Sequence, residues 1–171
     1  MPKRTQTAAQ FSDAEPVEAL GTADHLALRL WLRMLGCHNL MEGILRTRLR
    51  DVFEITLPRF DLMSQLDRHP EGLKMRDVSR LLMVTGGNVT GLTDRLVEEG
   101  LVVRRDDPND RRAYFISLTP KGKALFADMA ARHEEWVTSL LSPLDDAEQQ
   151  QLCNLLAKLK SRLADAPEAT Y

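Results

Sequence analysis

The sequence has little of what usually announces a function. Net charge is only −2 at pH 7 across 171 residues, so no global basic surplus marks a nucleic-acid binder. Any such role has to rest on local charge. The two cysteines, Cys37 and Cys153, stand far apart, and the first twenty residues mix charge and alanine without an apolar core segment, which together point to the cytoplasm. No run of about eighteen apolar residues occurs, which excludes a helical membrane span. The four histidines and two cysteines show no ligand spacing, so no metal is expected. No glycine-rich phosphate loop follows a strand, and His133-Glu-Glu-Trp136 lacks the second histidine of a zinc-hydrolase helix. Cys37 and His38 are adjacent, so on a helix they diverge by roughly 100° and cannot form a nucleophile–base pair. The expectation is neither an enzyme nor a cofactor-bearing protein.

What is present is helical patterning. With 43% hydrophobic and 28% charged residues the chain fits one compact domain, or a domain with a helical appendage. Residues 1–20 are polar and rich in small side chains, and read as a mobile arm. From Asp24 to about Val52 apolar positions recur at helical spacing, as one long helix or two joined near Gly36. Leu28, Leu30, Trp31 and Leu32 cover more than one face, so part of this surface is expected to meet another subunit. Thr56-Leu-Pro58 opens a second helix that ends at the turn His69-Pro-Glu-Gly72. Lys74 to Leu82 reads as a third, burying Met75, Val78, Leu81 and Leu82. A fourth follows, capped by Thr85 and stopped by Gly100. Short helices in this order suggest a helix-turn-helix.

After Gly100 the period changes to two. Two β-rich runs, Leu101–Arg105 and Ala113–Leu118, flank a cluster of turn formers and read as a hairpin. Thr119-Pro120 starts another helix, to about Leu141. Asp145-Asp-Ala-Glu148 has capping-box spacing and opens a last helix carrying a stripe of Leu152, Leu155, Leu156, Leu159 and Leu163. The fold class that results is mainly α with a small β wing.

The fourth helix poses a question, because VTGGNVTGLTDRL holds three glycines where each costs up to about 1 kcal/mol against alanine. On a helical wheel Val89, Leu92 and Leu96 face the core. Gly87 and Gly91 then lie nearly opposite, flanked by Asn88, Thr90 and Arg95. Such a face lets a large partner approach the backbone closely. Double-stranded DNA is one: its major groove admits a helix, asparagine bonds adenine N6 and N7, and threonine touches a thymine methyl or a phosphate. Gly86 and Gly87, in the first turn, offer free N–H groups to a phosphate oxygen. The alternative is that the glycines permit packing against another protein helix. Local charge favours DNA, since between Lys74 and Lys123 ten Lys or Arg stand against seven Asp or Glu. Arg111 and Arg112 at the hairpin tip suit a narrow minor groove of negative potential. They could instead pair with Asp106, Asp107 or Asp110.

These segments resemble the MarR (multiple antibiotic resistance regulator) family of winged helix-turn-helix transcription factors. The resemblance is carried by Leu73–Leu82 and Thr85–Glu99 as the two helices of the motif, by Asp94-Arg-Leu-Val-Glu-Glu-Gly-Leu-Val102 leading into the wing, by Asp110-Arg-Arg112 at its tip and by Leu118-Thr-Pro-Lys-Gly122 after it. It extends from about residue 24 to 163. It implies a homodimer held by helical regions 21–55 and 120–171, with 56–119 as the DNA-binding lobe and two recognition helices in successive major grooves of a pseudo-palindromic operator. On this resemblance Thr85, Asn88, Thr90 and Arg95 are groove and phosphate contacts. Arg112 enters the minor groove, Asp110 supports it, and Asp94 needs a basic partner so as not to repel DNA. The paired glycines 86 and 87 depart from the family's usual Ser/Lys-rich helix start.

The resemblance further implies a small-molecule effector in a pocket between the dimerisation helices and the DNA-binding lobe. Its expected lining is Trp31, Leu35, His38, Phe60, Met63 and Tyr114, and the chain looks most like regulators of aromatic-acid catabolism, whose effectors include aromatic acids and their acyl-CoA thioesters. Exposed arginines such as Arg29, Arg33 or Arg59 would suit a CoA tail. Binding of effector is expected to relieve repression. Two alternatives remain at this level: a cysteine-based redox repressor of the same fold, against which both cysteines read as buried small hydrophobes, and a protein-interaction module that binds no DNA.

Overall fold

A computed structural model describes residues 25–82, 86–107 and 110–165, the side chains of 110–113 excepted. The expected arm at 1–20, the Thr85 cap and the side chains of Asp110, Arg111 and Arg112 therefore lie outside the described residues. The chain divides after Arg48 into two compact units.

The first unit, as far as it is described, is the greater part of helix α1 (Leu26–Phe53), which continues unbroken through Gly36 and Gly43. One helix forms rather than two. Glu42 ties successive turns together, with His38 Nε2 3.5 Å away and Arg46 bonded on the other side, the i,i+4 spacing that places side chains on one face. Leu26, Leu28, Leu30, Trp31, Leu35 and Leu40 are all exposed, Trp31 at 56%. That matches the apolar excess expected on this helix.

The second unit begins at the end of α1. Glu54 adopts φ 55° and its N–H reaches the Arg50 carbonyl at 3.0 Å, a left-handed helix stop. Then come α2 (Leu57–Asp67), β1 (Leu73–Lys74), α3 (Met75–Leu82), α4 (Gly86–Glu98), β2 (Val102–Asp107), β3 (Asp110–Leu118), α5 (Pro120–Leu141) and α6 (Asp146–Ala164). The sheet is antiparallel with strand order β1-β3-β2. Leu73 and Arg104 flank Ile116 on its two sides. Lys74, expected in the third helix, belongs instead to this short first strand, because its backbone pairs with Phe115. Leu81, expected in the core, is exposed; only Val78 of α3 is fully buried, since an eight-residue helix turns one narrow stripe inward.

Fully enclosed side chains from every layer make one core: Leu49 of α1, Leu62, Met63 and Leu66 of α2, Val89 and Leu96 of α4, Ile116 of β3 and Met129 of α5. The junction of α4, β2 and α5 is built from backbone. Gly100, at φ 69°, lets its own N–H reach Val97 O and that of Leu101 reach Leu96 O, both at 2.9 Å, which satisfies the last carbonyls of α4. Thr119 caps α5 by accepting from Gly122 N at 3.0 Å, and donates its hydroxyl to Gly100 O at 2.8 Å and its N–H to Leu101 O at 3.0 Å.

Helix α6 opens with the expected capping box, Glu148 N to Asp145 Oδ1 and Asp145 N to Glu148 Oε2, both 2.9 Å. None of its residues is buried, and its leucine stripe is open, Leu155 at 57% and Leu163 at 65%. No described helix is long and apolar enough to cross a membrane.

At Gly122 a Cβ would stand 2.0 Å from the Leu101 carbonyl oxygen, a backbone atom that cannot swing aside. Gly122→Ala is therefore expected to lower stability by about 2 kcal/mol or more, as overpacking of a tight contact does, measured by urea denaturation.

Candidate nucleic-acid interface and adjoining cleft

Helix α4 presents two unlike faces. Inward, Val89, Thr93 and Leu96 are fully buried and Leu92 is packed beside them. Thr93 escaped the apolar pattern; its hydroxyl lies 3.7 Å from Met75 Sδ, so a polar residue has a partner within the core. Outward, Gly87, Asn88, Thr90, Gly91 and Arg95 are all exposed. A Cβ added at Gly87 or Gly91 would meet nothing within 4 Å. Among the described residues, no helix of this chain packs on these glycines.

The charges beside this face are arranged by the hairpin. Asp94, on α4, is bound by Arg104 of β2, which also lies over the Tyr114 ring at 5.0 Å. The basic partner expected for Asp94 is thus present, and its carboxylate is compensated. Arg105 donates to the Glu71 carbonyl at 2.5 Å, fastening β2 to the turn before β1. Asp107 is buried and held by Lys74 Nζ at 2.6 Å, while the same ammonium lies 5.2 Å from the Phe115 ring centre. Buried charge needs such pairing. Lys74 thereby anchors the far end of β2, a role that sequence reasoning missed because its partner is 33 positions away.

Beyond the interface lies a cleft of about 300 Å³ lined by Phe60, Ser64, Asp67, Arg68, Phe126, Ala130, His133 and Glu134. It is formed by one face of α2 and one face of α5, each showing i, i+3/i+4 spacing. Phe60 stacks on His133 with ring centres 4.8 Å apart and packs against Phe126 at 5.6 Å. Burial lowers the His133 pKa below its ordinary value, which favours the neutral ring with its one donor and one acceptor.

Of the residues expected to line an effector pocket, Phe60 lines this cleft. Met63 is fully buried in the core and is not part of the cleft lining. Tyr114 is partly buried against the core, under Arg104. Arg59, expected as an exposed arginine, is instead buried and bound to Glu99, since the end of α4 folds over it. Trp31, Arg33, Leu35 and His38 lie exposed on α1 in the first unit. Ser64, Arg68, Ala130, His133 and Glu134 were not expected in a cleft, because neither helix face alone signals its mate.

Cys37 and Cys153, read as buried small hydrophobes, are both exposed. Cys153 sits in the leucine stripe of α6 and Cys37 towards the middle of α1, and among the described residues nothing covers the leucines beside them. Among the described residues no group of three His, Cys, Asp or Glu is placed to hold a metal ion.

A model of the MarR family matches residues 53–113. The chain is 26% identical over 155 residues to the HTH-type transcriptional regulator PecS of Dickeya dadantii, covering 90% of this chain and 86% of PecS. Matches to other curated regulators span less of them, 55% and 61% of their length in two cases. Among solved structures it is 34% identical to a MarR family transcriptional regulator from Silicibacter pomeroyi, with a TM-score of 0.67 over 84% of this chain and 97% of that one. Bordetella bronchiseptica BpsR, whose structure concerns regulation of DNA binding by 6-hydroxynicotinic acid, shares the fold at 24% identity, with a TM-score of 0.68 over 77% of this chain and 98% of BpsR.

The depressed His133 pKa carries a sign. Between that value and the ordinary one, near 6.5, the unfolded chain binds the proton and the folded chain does not. Stability is therefore full above about pH 6.5 and falls as the pH drops through this window. In urea titrations at pH 7.5, 6.5 and 5.5, His133→Gln should flatten that part of the profile.

Proposed function

Because the chain belongs to the MarR family of transcription regulators, we propose that it acts as a homodimeric cytoplasmic repressor released from a pseudo-palindromic operator by a small aromatic acid. The observation that carries this reading is the outer surface of α4, where the open space over Gly87 and Gly91 runs between exposed Asn88, Thr90 and Arg95. A duplex meets backbone there rather than side chain. Asn88 and Thr90 then read base edges, Arg95 and the N–H groups of Gly86 and Gly87 hold phosphate, and Thr85 adds a contact at the helix start. Arg112, oriented by Asp110 and flanked by Arg111, enters the adjoining minor groove at the hairpin tip.

The dimer draws support from the open leucines of α6 and the apolar surface of α1, which a second copy would cover. The region before residue 56 and that after 119 are the dimerising parts in this reading. For the effector, the α2–α5 cleft offers two phenylalanines and a histidine, with Arg68 to receive a carboxylate and the acidic Asp67 and Glu134 to accept from a ring N–H or hydroxyl. Its volume, about 300 Å³, lies at the small end for ligand sites and suits one ring with its substituents. The aromatic acid named for BpsR is of this kind. A CoA thioester is less well served, because Arg59 is occupied by Glu99. Control of aromatic-compound catabolism follows as the physiological setting.

A second reading rests on the exposure of Cys37 and Cys153, which would let an oxidant replace the ligand as the releasing signal. Retention of DNA by peroxide-treated protein removes it.

Gly87→Ala and Gly91→Ala separate folding from function. Each should raise stability by up to about 1 kcal/mol, since alanine is the better helix former and meets no clash, while weakening operator binding in gel-shift titrations. Unchanged affinity in both would remove α4 from the interface. Arg112→Ala should weaken binding by about 1–3 kcal/mol and leave the melting temperature nearly unchanged.

A further inference from the structure

Glu99, the residue that follows α4, is held from two sides. Its carboxylate is bound by Arg59 of α2, and its carbonyl accepts from Lys121 Nζ, in the first turn of α5, at 2.9 Å. These are the two helices whose opposed faces form the cleft. Phe60, next to Arg59, lines it from α2; Phe126, Ala130 and His133 line it from α5.

The two holds are unequal. The Arg59 guanidinium is buried, the residue only 8% exposed, and its Nε finds no partner among the described residues. Withdrawing Glu99 would leave a buried charge uncompensated, which costs more than the pair gains in forming. The carboxylate of Glu99 therefore moves with α2. Two residues later the chain moves with α5, because the Leu101 carbonyl accepts from Thr119 and lies against Gly122. Any change in the separation of α2 and α5 falls on the stretch between Glu99 and Leu101, whose centre is Gly100 in a left-handed conformation.

We propose that Arg59, Glu99 and Lys121 form a positioning clamp through which filling of the α2–α5 cleft displaces the last turn of α4. This rests on the reading of α4 as the DNA-contacting helix. The three residues touch neither DNA nor effector in this account; they set the attitude of the helix that does.

The test fills the cleft without needing its natural ligand. In the full chain, Ala130→Trp occupies the cleft from the α5 side. Amide hydrogen exchange over residues 92–101 should quicken by at least about fivefold, the lower end of ordinary coupling between sites. Affinity for a duplex selected from a random library by the wild-type protein should fall alongside. In a Glu99→Gln background the same tryptophan should add nothing to either quantity, and Arg59→Lys should keep part of the coupling that Arg59→Met loses. Equal effects of Ala130→Trp in both backgrounds, or no effect in either, overturn the clamp. If circular dichroism shows Ala130→Trp unfolded, Ser64→Phe fills the cleft from the α2 side and is judged by the same outcomes. The exchange measurement uses no DNA, so a wild type that binds no duplex defeats the proposed function while the clamp is still decided.

Discussion

The contact on which the rest of the structure depends is the approach of Gly122 to the Leu101 carbonyl. There the end of α4, the start of β2 and the first turn of α5 meet with no side chain between them. Thr119 completes the junction, since one hydroxyl accepts from Gly122 N to cap α5 and donates across the gap to Gly100 O. Helix α4 and the β2–β3 hairpin thus leave a common origin in fixed directions. Their orientation is secured by backbone hydrogen bonds and close packing, which are less easily altered by salt or pH than surface ion pairs would be.

Around that origin the molecule spends polar residues on fastening rather than on display. Arg104 compensates Asp94, Arg105 takes the Glu71 carbonyl and Lys74 holds the buried Asp107. Each pair joins the hairpin to a different neighbour. Much of the local basic excess is consequently internal to the lobe, and the exposed outer face of α4 carries one arginine, Arg95, among small and polar side chains. Shape is the stronger feature of this face, and the glycines that create it contribute nothing to packing. Stability is supplied instead by the inward side of the same helix.

Local signals in the sequence were legible because they act through neighbours. Thr119-Pro120, the Asp145/Glu148 pair and Gly100 marked helix boundaries that the backbone reproduces, and alternation around the turn formers marked the hairpin. The thin face of α4 was legible for the same reason, as a wheel needs only one helix. What escaped depends on distant partners. Leu73-Lys74 is too short to show a period and becomes a strand only against β3. Arg59 looks like any surface arginine until Glu99, forty positions on, arrives over it. The cleft needs two helices separated by more than fifty residues, so Phe60 was found and His133 was not. The cysteines were misjudged because apolar neighbours in a helical pattern do not by themselves bring cover, and those of α1 and α6 are exposed along with them.

That last point reaches beyond recognition of DNA. In the proposed dimer, covering the leucines along α6 that the described residues leave exposed would tie the folded population to how many copies are present, because each encounter that hides them also withdraws a chain from unfolding. Dilution would then act as a denaturant. A cell holding few copies would carry the protein partly as protease-accessible monomers, so that abundance itself would set a threshold for the proposed regulation.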